Sequence, residues 1–159
     1  VPALTMDTYR PSGGTALLDA MGKTIDATGK RLAAMPEESR PGKVIVVVIT
    51  DGEENSSREY TYPRLNEMIC HQRDVYKWEF IFVGTNQDAI ASASRIGIDA
   101  QNALTYGSSP LAARLAMGVV AESLSARRAG HSGHFTDEAR ETALAGEENP
   151  WKKPESDRP

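Results

Sequence analysis

KVIVVVITDGEEN, residues 43–55, holds an apolar, almost wholly β-branched run from Val44 to Ile49 that stops at Thr50-Asp51-Gly52. The run is too short to span a membrane, and its composition predicts a strand buried on both faces. Such strands belong to parallel sheets covered by helices. In those sheets ligands bind just beyond the carboxyl ends of the strands, where Asp51 falls. A carboxylate there, followed by a glycine, is either a turn former or a working group.

The flanking sequence extends this reading. RPSGG at 10–14 is a loop, and Leu17, Leu18, Met21, Ile25, Thr28 and Leu32 then form one helical stripe, stopped by Pro36 and Pro41-Gly42. A second helix starts near Pro63 and carries Leu65, Met68, Ile69, Gln72 and Tyr76. WEFIFVGTN at 78–86 is a second strand, and a short helix at 87–95 is closed by Gly97. Residues 103–106 form a weak third strand, and a helix runs from about Pro110 to Arg127. Strict alternation of helix and strand implies right-handed crossovers and a mostly parallel sheet. The expected class is α/β, a Rossmann-like three-layer sandwich. Composition changes at Gly130, so residues 130–159 are expected to be a largely disordered tail, with a short amphipathic helix at 135–145.

The chain of 159 residues suits one domain. Its net charge of −4 and lack of a basic stripe argue against a nucleic-acid binder. No long apolar run or signal-peptide pattern points to a membrane or to secretion. The single Cys70 fits a reducing compartment, so a cytoplasmic setting is expected. His131 and His134 offer too few ligands for zinc.

Loops at the strand ends bring hard oxygen donors to one face of such a sheet: Ser12 and Thr15, then Asp51, Glu53 and Asn55, then Thr85, Asn86 and Gln87. Without His or Cys, this set suits Mg²⁺, Mn²⁺ or Ca²⁺. Each member also has a plainer reading. Thr15 is placed to cap a helix, Asn86 to cap the helix at 87–95, and Asp19 to favour a helix dipole. Glu53 and Glu54 either enlarge an acidic rim or solvate a loop.

GGTALLDAMGKTI at 13–25 and VIVVVITDGEENSS at 44–57 resemble the von Willebrand factor A (vWA) family, and IFVGTNQDAIASASRIGI at 81–98 resembles its small bacterial and phage members. The resemblance covers about residues 5–127, within a partial vWA-like domain at 1–129. It implies a metal-ion-dependent adhesion site in which Thr15 and Asp51 are ligands, with Ser12, Gly14, Glu53, Asn55, Asn86 and Gln87 around them. The family's Asp-x-Ser-x-Ser does not occur in this sequence. The resemblance therefore implies an N-terminally incomplete domain that lacks its first strands, with a weak site. In the family the missing first strand pairs with the strand at 44–49, so the chain is expected to be a fragment or to pair that edge with another chain.

The function implied is cation-dependent protein binding, with a partner's carboxylate completing the metal shell. From the residues alone, two alternatives stand. One is a Mg²⁺-dependent phosphate-ester or phosphoryl-transfer enzyme, with phosphate at Gly13-Gly14-Thr15. The other is a truncated copy that keeps only its packing.

Overall fold

The computed structural model describes Thr5 and residues 13–85 and 88–144. The elements follow the expected alternation. Helix α1 spans Leu17–Ala33, strand β1 Ile45–Thr50, helix α2 Tyr62–Tyr76 and strand β2 Glu79–Gly84. Helix α3 follows at Ala89–Arg95, strand β3 at Ala103–Thr105, helix α4 at Pro110–Arg128 and helix α5 at Asp137–Leu144. The sheet is parallel in the order β1-β2-β3, with Thr50 beside Gly84 and Gly84 beside Thr105. This is an α/β, Rossmann-like arrangement.

Central strand β2 has a helical layer on each side. Phe80 and Phe82 point into a core with Leu18, Met21 and Ile25 of α1, Leu65 and Ile69 of α2, and Ala93 of α3. Ile81 and Val83 point the other way, against Ala116, Val119 and Val120 of α4. Alternating side chains thus serve two cores. Val83 and the three residues before it are all buried.

Burial on both faces therefore belongs to β2 rather than to β1, where the sequence placed it. Ile45, Val46 and Val47 are half-buried and Ile49 is 53% exposed. The physical reason is position: among the described residues β1 pairs only with β2, so it forms one edge of the sheet.

The helix ends follow local chemistry. Thr61 and Ser109 cap α2 and α4, and each helix has a proline in its first turn. Gly97, at φ +81°, follows α3 as expected, and the Ile98 N–H returns to Ala93 O. The cap of α3 is Asp88, whose carboxylate accepts from the N–H of Ile90 and of Ala91, both at 3.0 Å. Asn86 had been read as that cap, and it lies outside the described residues.

Residues 130–144, assigned by composition to the tail, continue the fold. Phe135 and Ala143 are buried in the second core, and Arg140 donates to Ala103 O and Ala100 O at 2.7 Å. The tail beyond them lies outside the described residues. No described helix is long and apolar enough to cross a membrane.

Candidate functional site

The parallel register brings Asp51, Thr85 and Tyr106 to one end of the sheet, each one residue past its strand. An open groove of about 450 Å³ lies there. Gly14, Thr15, Ala20, Ile49, Asp51 and Tyr106 are among its lining residues. Thr15 and Asp51, paired by the sequence reading, therefore share one groove. The Thr15 hydroxyl faces the turn after Asp51, since a Cβ added to Gly52 would lie 3.3 Å from it. Asp51 is exposed, and Thr50 Oγ donates to Gly52 O at 2.9 Å, closing the turn.

Thr15 is positioned by Asn55. Its N–H donates to Asn55 Oδ1 at 2.8 Å, and its carbonyl accepts from the Asn55 N–H at 3.0 Å. Thr15 does not cap α1. The N-cap position is Ala16, which makes no side-chain cap bond. The Leu18 and Asp19 amides of the first turn go to the 53–57 loop instead: Leu18 N–H to Glu54 Oε2 at 2.9 Å and Asp19 N–H to Ser57 Oγ at 3.0 Å.

Glu54 is therefore a clamp rather than part of an acidic rim. Its carboxylate also accepts from the Ser56 N–H, the Ser57 N–H and the Ser57 hydroxyl. Asp19 plays the reverse part. Its carboxylate accepts from the N–H groups of Arg58, Glu59 and Tyr60, each at 2.9 Å, and so anchors the loop to the helix.

Two glycines permit this close fit. A side chain at Gly14 would collide with Ser56 and Asn55, and one at Gly22 with the Tyr60 ring.

The remaining candidates divide. Glu53 lines a small separate cavity of about 100 Å³ with Leu17, Tyr62 and Arg95, and not the Thr15–Asp51 groove. Ser12, Asn86 and Gln87 lie outside the described residues. Thr85 is buried, and its hydroxyl finds no hydrogen-bond partner among the described residues. Tyr106 was missed by the sequence reading, although the strand-end rule that selected Asp51 applies equally to it. Burial raises its hydroxyl pKa, and the nearby Asp51 charge adds to this. Among the described residues no three His, Cys, Asp or Glu side chains cluster as a metal site.

Electrostatics tie the clamps to pH. The Arg58 amide, with those of Tyr60 and Glu59, holds Asp19 below the usual carboxylate range against a smaller desolvation effect. Burial works against the charged form of Glu54, yet the Ser57 and Leu18 amides, the Ser57 hydroxyl and the Ser56 amide together hold the carboxyl low. Glu79 is likewise opposed by burial and held low by Arg127 and Lys43. A lowered folded pKa means that the unfolded chain binds protons first as pH falls. Stability is thus expected to be flat above the ordinary carboxylate range and to drop as pH falls through and below it. Urea denaturation at a series of pH values checks this, and unchanged midpoints through that range would contradict it.

No protein-family model matches this chain, and no curated protein or solved structure shows a significant match to it.

Proposed function

We propose that the chain is a cation-dependent protein-binding module of the vWA type, not an enzyme, working in the cytoplasm. The observation that carries the reading is that Thr15 and Asp51 line one groove beyond β1, with Thr15 held by Asn55. One carboxylate and one hydroxyl on an open groove fit a hydrated Mg²⁺ or Mn²⁺, which keeps several waters and needs few protein oxygens. Asp51 and Thr15 would hold the cation, which when bound supplies a Lewis-acid link to a partner's carboxylate. Asn55, Glu54 and Gly14 keep Thr15 against the Asp51 turn.

The phosphate-ester reading has less support. A phosphate at the start of α1 needs free amides. The N–H groups of Thr15, Leu18 and Asp19 already donate to Asn55, Glu54 and Ser57.

Titration calorimetry with Mg²⁺ and Mn²⁺ tests the proposal. Weak binding heat is expected for the chain and for Glu53→Gln, whose side chain lines the other cavity, and none for Asp51→Ala. Equal heats for the chain and Asp51→Ala would remove the metal from the account.

A further inference from the structure

We propose that two copies of this chain join through β1, antiparallel about a two-fold axis at Val47, to make one continuous sheet. Glu79 N–H donates to Val44 O, and Thr85 N–H donates to Thr50 O. Since successive residues of a strand alternate sides, the even-numbered residues of β1 bond to β2. Ile45, Val47 and Ile49 turn their N–H and C=O groups outward.

Strands at sheet edges are usually blunted by a charge, a proline or a bulge. IVVVIT at 45–50 contains no charge and no proline, and it pairs with β2 in unbroken register.

The partner that fits is the strand itself. Antiparallel pairing must set outward-facing residues opposite outward-facing residues. Centred on Val47, it puts Val47 opposite Val47, Ile45 opposite Ile49, and Lys43 opposite Asp51. Every apolar residue from Ile45 to Ile49 then meets an apolar one, and at each end Lys43, already bonded to Glu79 and Arg127 O, comes opposite Asp51. A register displaced by two residues sets Lys43 against Ile49, or Asp51 against Ile45.

Among the described residues, space is available beside the edge. Ala16 and Ala20 of the α1 region are exposed and small, and they line the same groove as Ile49 and Thr50. Pairing would also cover Ile49, one of the large apolar side chains left exposed.

Sedimentation equilibrium over a range of protein concentrations tests the pairing. The chain is expected to show a monomer–dimer equilibrium. Ile49→Lys is expected to be a monomer with an unchanged circular dichroism spectrum, because the site is exposed. The sedimentation readout needs no added cation, so its outcome is independent of the metal titration.

A second measurement fixes the register in a Cys70→Ser background. In a hydrogen-bonded antiparallel pair the Cα atoms are about 5.5 Å apart, within disulfide reach. Val47→Cys is expected to cross-link to its own copy on oxidation, and the more exposed Ile49→Cys is not. Three results would overturn the proposal: a monomer at every concentration, self-association of Ile49→Lys equal to that of the chain, or cross-linking of Ile49→Cys in preference to Val47→Cys.

Discussion

Replacing Arg127 with alanine is expected to lower the unfolding free energy by about 3 kcal/mol, the lower end for breaking a buried ion pair. Arg127 is only 2% exposed, and its guanidinium has four acceptors. It donates to Glu79 Oε2 and Asn102 Oδ1 at 2.7 Å, to Gly133 O at 3.0 Å, and to Ser123 Oγ at 3.3 Å. One side chain thus ties the end of α4 to the start of β2, to the turn before β3 and to the loop that leads to α5.

Among the described residues Glu79 would keep one ion-pair partner, Lys43, 3.0 Å away and at the protein surface. The Glu79 side chain is itself 27% exposed, so water can recover part of the loss. That exposure is why the lower end of the range applies. Chemical denaturation of Arg127→Ala, with Glu79→Gln and the double variant, isolates the pair. A loss below about 1 kcal/mol would mean that the pair behaves as an ordinary surface salt bridge.

Glu54→Ala is expected to cost about 1.5–3 kcal/mol, the range for hydrogen bonds to a charged group, here made by part-buried donors. Its carboxylate receives the amides of Leu18, Ser56 and Ser57 and the Ser57 hydroxyl, all within 2.9 Å. Without it the first turn of α1 loses an acceptor supplied from another element, and the 53–57 loop loses its centre. Thr15 sits three residues before Leu18 and is held by the same loop. The expected result is therefore twofold. Hydrogen exchange at the Leu18 and Ser57 amides should accelerate, and the Mg²⁺ heat should fall although neither Thr15 nor Asp51 has been altered. Unchanged protection at Leu18 would show that Glu54 is not the clamp.

The element order was legible because each part of it is local. The stripe from Leu17 to Leu32 names a helix, and Pro63 and Pro110 mark helix starts. The apolar runs at 44–49 and 80–83 name strands. Alternation of the two kinds of element then dictates a parallel sheet, because a strand returning in the same direction needs a crossover. Asp51 was legible for the same reason: a carboxylate after an apolar strand falls at the ligand-binding end of the sheet.

What the sequence could not supply was the roles of residues whose partners are distant along the chain. Thr15, Asp19 and Glu54 have types that suit capping, dipole and rim roles, and local rules assign them so. Each has a partner 36 to 41 residues away, and no periodicity records such a pairing. Tertiary folding brings the 53–60 loop onto α1, and that contact turns one acid into a cap and another into an anchor. It also decides burial. Val44–Ile49 reads as more uniformly apolar than the β2 run, yet β2 is the buried strand, because it has a neighbour on both sides. By itself, then, the sequence determined the α/β order, the parallel sheet and the place of Asp51 at a strand end, all consequences of local patterning and chirality. Only the tertiary structure decided which acids hold the loop, that Thr15 and Asp51 share a groove, and that β1 lies at the sheet's edge, because each of these depends on which distant segments come to lie side by side.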